Sequence, residues 1–192
     1  MTGFWRSARM GMIAAMLVLS GVAATTTASA TTSPGHQSPP VTCQRATAAD
    51  KSVVPPEVVP PNLLDISATT GVCGDEVVFT VSEATVVGYQ IGYERDLLGI
   101  GSGLPLDVSG RAVLVVDLDA PAYDESGNST YEVVDPTNLV DVSGLATVQQ
   151  VVWAGSLRGV TRVGIGLDRV RPFSVTVDVA KHTTDVVVRI AP

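Results

Sequence analysis

The sequence predicts an all-β domain. It should be a single β-sandwich or partly closed barrel of about seven or eight short strands, preceded by a signal peptide and a disordered proline-rich linker. Three observations lead there. Valine supplies 31 of the 162 residues from Thr31 onward, and branching at Cβ suits a pleated surface. From about Asn62, apolar residues recur with period two in one run after another. Turn residues break those runs at Gly99-Ile100-Gly101-Ser102-Gly103, Ser109-Gly110, Ser126-Gly127-Asn128 and Ser143-Gly144, and no long helical stretch intervenes.

Residues 1–30 read as an export signal. Arg6 and Arg9 charge the start, Gly11 to Ala24 is apolar apart from Ser20, and Ala28-Ser29-Ala30 offers a small-x-small cleavage site. The apolar run is shorter than the ~20 residues of a membrane span. Cys43 lies well beyond it, so a lipid anchor at the cleavage point is not expected. Residues 31–61 read as a linker, because seven of the chain's 12 prolines fall there (Pro34, Pro39, Pro40, Pro55, Pro56, Pro60 and Pro61). Export favours a disulfide between Cys43 and Cys73, tying this arm to the start of the domain.

Residues 62–192 hold the strands. Phe173, Val175, Val177 and Val179 share one face, with Ser174, Thr176 and Asp178 on the other. Val186, Val188 and Ile190 form a second such face. Ala112, Leu114, Val116 and Leu118 form a third, Val77, Phe79 and Val81 a fourth, and Val163, Ile165 and Leu167 a fifth. Val86 to Glu94, Ala146 to Ala154 and Leu63 to Thr69 are weaker candidates. Asp135-Pro136-Thr137-Asn138 is suited to cap one short helical turn.

Charge and composition exclude several functions. Without Arg6 and Arg9 the chain carries 10 basic and 19 acidic groups. That balance opposes a general nucleic-acid binder or adhesion to an anionic membrane. Aromatic residues make up 5%, too few for a binder built on stacking. The two histidines do not suggest nucleophilic catalysis. His36 lies in the linker and His182 in a turn at Ala180–Thr184, and no Gly-x-Ser-x-Gly elbow is present.

Two clusters remain. Asp117, Asp119 and Asp124 lie close together in sequence, and Asp117 and Asp119 share a strand face. They are calcium candidates, or else solvated acids at a strand end. Arg158, Arg162, Arg169 and Arg171 are four of the ten basic residues after the signal. Such a group can grip carboxylates or phosphates bidentately, or pair with nearby acids. Tyr89, Tyr93, Tyr131 and Trp153 either line a groove or pack in the core.

Residues 164–175, GIGLDRVRPFSV, resemble the closing segment of the AMIN-like domain found in secreted actinobacterial proteins. Val77-Val78-Phe79, Gly88-Tyr89 with Tyr93, Gly101-Ser102-Gly103 and Ala112 to Val116 resemble its earlier segments. Glu76 and Val87 depart from the pattern, standing where a basic residue and a proline are common. The resemblance implies an all-β fold at the cell envelope without established catalytic residues. The related AMIN domain of cell-wall amidases directs those enzymes to peptidoglycan.

The combined expectation is a secreted, cell-wall-associated, non-enzymatic module that binds peptidoglycan or another wall component. Arg158, Arg162, Arg169, Arg171 and Tyr89 are its candidate ligand contacts. No cofactor, no nucleic acid and no membrane span after signal removal are expected. The alternative is a module that recruits another exported protein through a sheet edge or apolar patch.

Overall fold

A computed structural model describes residues 42–55, 59–83 and 85–192. The expected signal peptide lies outside the described residues, as do 31–41 and 56–58 of the expected linker. Eleven strands are described: β1 (Lys51–Val53), β2 (Leu63–Gly71), β3 (Gly74–Ser82), β4 (Tyr89–Glu94), β5 (Leu97–Leu98), β6 (Pro105–Leu106), β7 (Ala112–Leu118), β8 (Val148–Leu157), β9 (Val160–Leu167), β10 (Phe173–Val179) and β11 (Thr183–Ile190). They form a five-stranded sheet ordered β1-β4-β7-β9-β8, a four-stranded sheet ordered β10-β11-β3-β2, and the small β5–β6 hairpin. Every pairing is antiparallel. The architecture is sandwich-like and not a closed barrel.

Four of the five expected faces turn inward; the β10 face does so only at Phe173, with Val175 and Val177 half-buried and Val179 exposed toward the strand's end. Val77, Phe79 and Val81 from one sheet and Leu114, Val116, Leu118, Val163, Ile165 and Leu167 from the other are fully buried in one shared core. Val186, Val188, Ile190 and Phe173 complete it. The weaker candidates form β2, β4 and β8. In β2 the register shifts between Leu63 and Asp65, so Leu63 and Ile66 both point inward although three residues apart. In β8 a shift between Val148 and Gln150 does the same for Val148 and Val151. These bulges interrupt the alternation that a periodicity argument reads.

Three of the eleven strands, β1, β5 and β6, lie outside the eight runs expected. Strand β1 falls within the expected linker: Lys51, Ser52 and Val53 pair with Ile91, Gln90 and Tyr89. The arm before it is fixed by the Cys43–Cys73 disulfide, whose Cα atoms lie 5.6 Å apart. Reciprocal Thr47–Phe173 backbone hydrogen bonds hold it as well, at 3.0 and 2.9 Å. The Lys51 ammonium lies 4.1 Å from the Phe173 ring centroid, a cation–π contact that adds to the hold.

Strands β5 and β6 flank the glycine-rich stretch, which forms their turn: Gly99 N–H donates to Leu104 O at 2.9 Å. The hairpin lies on the outer face of the five-stranded sheet. There Leu97 packs with Val115, Val152 and Ala154 in a second, smaller core. Gly164 and Gly166 on β9 make room for this layer. A Cβ at Gly164 would stand 2.5 Å from Leu97, and one at Gly166 would meet the Ser109 carbonyl. Strand β9 is therefore apolar on its inner face and bare on its outer one, which gives Gly164-Ile165-Gly166-Leu167 a packing explanation.

The 119–147 connection carries no strand. Part of it runs along the open edge of β8, where Leu139 N–H donates to Val151 O at 2.9 Å and Trp153 N–H to Pro136 O at 2.8 Å. The sheet edge is thereby covered. Residues 135–138 form no helical turn, contrary to expectation. Asp135 accepts hydrogen bonds from the amides of Thr137 and Asn138 within a bend. Hydrogen bonds from the Thr137 hydroxyl and amide, then from the Asn138 side chain and amide, hold its pKa at about 2.

Candidate functional site

The four arginines do not form one cluster. Strand β9 separates them, and its eight residues span roughly 25 Å at about 3.3 Å per residue. Arg158 and Arg162 lie toward its start, Arg169 and Arg171 beyond its end. Arg162 stands opposite Asp117 in the β7–β9 register and grips it bidentately, Nε to Oδ1 and Nη2 to Oδ2, both at 2.7 Å. That hydrogen bonding pushes the guanidinium pKa further up. Arg171 is buried and donates through Nε and Nη2 to Asp168 at 3.0 and 2.9 Å. Arg169 also pairs with Asp168, at 2.9 Å, and is exposed. Among the described residues, Arg158 is the one member of the four with no ion-pair partner.

Arg158 sits at the tip of the β8–β9 hairpin, where Leu157 pairs with Val160. Both central residues are left-handed, with φ of 54° at Arg158 and 85° at Gly159, as a type I′ turn requires. Gly159 suits this geometry. Arginine does not, because a side chain at positive φ crowds its own backbone. The turn is fixed from the side by Gly159 N–H donating to the Tyr123 hydroxyl at 3.2 Å.

Arg158 and Gly159 line a cleft of about 190 Å³. Pro55, Pro60, Pro61, Val86 and Val160 form its apolar walls, and Gly88 and Asp119 its polar floor. Gly88 is required there. A Cβ at that position would overlap the Asp119 carboxylate and stand 2.5 Å from the Pro55 ring. The Asp119 amide donates to Gly88 O at 2.9 Å, which fixes the strand end beneath the carboxylate.

The three acidic candidates separate in the same way. Asp117 is neutralised by Arg162. Asp124 closes its own turn, accepting from the amides of Ser126 at 2.9 Å and Asn128 at 2.8 Å. Hydrogen bonds from the Asn128 side chain and amide hold its carboxyl below the ordinary range. No three His, Cys, Asp or Glu side chains gather as a metal-ligand set among the described residues. Asp119 is half-buried, and burial pushes its carboxyl pKa up, with the Asp117 charge as a second cause. A carboxyl with a raised folded-state pKa lowers stability above that pKa and costs nothing below the unfolded value near 4. Asp119→Asn is therefore expected to raise the melting temperature at pH 7 by about 2 °C, with the gain vanishing below about pH 4. Thermal melts across that range check both signs. Tyr89 is half-buried against the main core, and burial raises its phenol pKa.

Residues 61–192 match the family model of the AMIN-like domain. The chain belongs to the AMIN-like domain family. No curated protein matches the chain, and no solved structure does. The match covers more than half of the chain, and the arm with Cys43 and β1 precedes it. AMIN-like domains are generally non-catalytic binding modules, and the family points to a cell-wall-related role. The disulfide agrees with an envelope or extracellular setting. Among the described residues no helix is long and apolar enough to cross a membrane.

The AMIN-like domain also contains a buried polar network that sequence reasoning missed. Asp75, at the start of β3, is 1% exposed. Its Oδ2 accepts hydrogen bonds from the Thr147 amide and hydroxyl, both at 2.6 Å, and from the Val148 amide at 3.2 Å. Burial alone would raise this carboxyl. The bonds from Thr147, Ala146 and Val148 outweigh it and leave the pKa lowered. Beside it, the Tyr93 hydroxyl donates to Arg171 O at 2.7 Å and accepts from Arg171 N–H at 2.9 Å. Asp75 and Asp168 both favour the charged form of Arg171, Asp168 more strongly. Arg171 and Asp168, within the family's closing segment, thus knit together β4, the β9–β10 turn and the approach to β8. Nothing in the local sequence signals this, since Asp75 between Gly74 and Glu76 reads as a turn acid.

Proposed function

We propose that this AMIN-like domain is a secreted, non-catalytic module that holds its protein at the cell wall by binding peptidoglycan or a comparable wall polymer. The observation that carries the reading is the cleft at the β8–β9 turn. It combines apolar walls, a half-buried carboxylate and an exposed arginine that has no ion-pair partner among the described residues, on the domain whose family points to the wall. The other polar candidates are engaged in structural work. Arg162, Arg171 and Asp117 form ion pairs, and His182 is exposed in the β10–β11 turn.

A second reading, recruitment of another exported protein, draws on the exposed apolar residues near the cleft. Val54 is 90% exposed, Val59 75% and Val86 51%, and grouped exposed apolar side chains mark interaction surfaces. Co-sedimentation with isolated cell-wall sacculi at about 0.15 M salt separates the two, because long-range surface charge is screened there. Saturable pelleting is expected for the wall module. A protein that stays in the supernatant at every sacculus concentration contradicts it and directs attention to a protein partner.

A further inference from the structure

We infer that the cleft at the β8–β9 turn recognises the peptide part of its wall ligand, as a chain end that carries both a carboxylate and an ammonium group. Arg158 would take the carboxylate and Asp119 the ammonium. This rests on the wall-binding reading and narrows it.

Four observations carry the inference. The cleft's 190 Å³ lies below the ~300–1,000 Å³ of sites that enclose drug-sized ligands, so it takes a chain end and not a whole repeat unit. Its described walls are proline and valine with no aromatic ring, whereas stacking platforms depend on aromatic faces. Among the described residues its two charged groups are of opposite sign, line one cleft and make no ion pair with each other. The one carboxylate among its described residues falls far short of the six to eight oxygens calcium needs, whereas one ammonium is matched by it. Finally, Arg158 keeps a left-handed backbone that asparagine or glycine would adopt more readily. Strain of this kind persists where the side chain has a task that a better turn former would not perform.

The test uses N-acetyl-Ala-Lys, which has one ammonium and one α-carboxylate, with its C-terminal amide and its Nε-acetyl derivative as controls. Calorimetric titration into the purified protein is expected to show binding that falls about tenfold with either control. Arg158→Asn should raise the melting temperature by about 2 °C yet bind the acid no better than the amide. Asp119→Asn should lose discrimination against the Nε-acetyl peptide only. The melting shift shows that the variant is folded, so lost binding cannot be ascribed to unfolding. Equal affinity for acid and amide, or no binding of the dipeptide, overturns the inference. Sacculus pelleting without dipeptide binding sinks this inference and leaves the wall reading standing. Dipeptide binding without pelleting does the reverse.

Discussion

Alanine in place of Asp75 is expected to be among the most damaging single changes in this domain, costing on the order of 3 kcal/mol. The Thr147 amide, the Thr147 hydroxyl and the Val148 amide all converge on one buried carboxylate oxygen. Removing the acceptor strands donors that water does not reach, and each buried unsatisfied group costs about 1–3 kcal/mol. A domain of this size should lose roughly 10 °C in melting temperature. The pH dependence follows from the same geometry. Asp75 and Asp168 both have lowered carboxyl pKa values in the folded state, the latter chiefly through its hydrogen bond from Arg171. The unfolded chain therefore binds more protons below about pH 4, and folding stability falls as pH drops through that window. Asp75→Asn should flatten part of that acid limb while lowering stability at pH 7. Thermal melts of the variant between pH 2.5 and 7 check this. An unchanged acid limb would show that Asp75 is not the group responsible.

Loss of the Cys43–Cys73 bridge is the second large effect. The bridge closes a loop with a sequence separation of 30, which in the chain-entropy picture contributes roughly 3 to 4 kcal/mol. Cys43→Ser with Cys73→Ser should therefore lower the melting temperature by about 10 °C under oxidising conditions and make it insensitive to reductant. The consequence reaches the cleft. The tethered arm continues through the Thr47–Phe173 hydrogen bonds and β1 to Pro55, a cleft wall. Amide exchange at Lys51–Val53 should accelerate in the double variant more than exchange in β3 or β11. Uniform acceleration would mean that the arm is not a separately tethered element.

The strands were legible where their inward residues recur at every second position. In β3 the alternation is uninterrupted, and in β7, β9 and β11 the residues the pattern selects are buried apart from the half-buried Ala112, although Val115, Gly164, Gly166 and Val187 are covered from the other face as well. The alternation weakens in β2 and β8 because bulges reset the phase. It fails for β1, β5 and β6, since strands of two or three residues carry no period. Tertiary partners make those strands: the Cys43–Cys73 tether for β1, and the glycine slots of β9 for β5 and β6.

The candidate site was legible only by residue type. Arg158 and Asp119 were both singled out, yet in groups that the fold takes apart. An extended strand carries neighbours in sequence far along its axis, and the β7–β9 register pairs Asp117 with Arg162 across strands. Asp117, offered as a calcium ligand, is thereby held by an arginine. The cleft itself depends on Pro55, Gly88, Asp119 and Arg158 arriving from four separate segments. No single stretch of sequence announces that. The one local signal was arginine before glycine in a tight hairpin, a poor choice for a type I′ turn.

The most direct test of the account is a titration of isotope-labelled protein with solubilised wall fragments, followed by amide chemical shifts. Shifts should concentrate at Gly88, Asp119 and the Arg158–Val160 turn, and Arg158→Asn should weaken the binding they report about tenfold. Saturable shifts that instead map to the outer hairpin or the β10 edge, and that survive Arg158→Asn, would contradict the assignment of the cleft as the binding site.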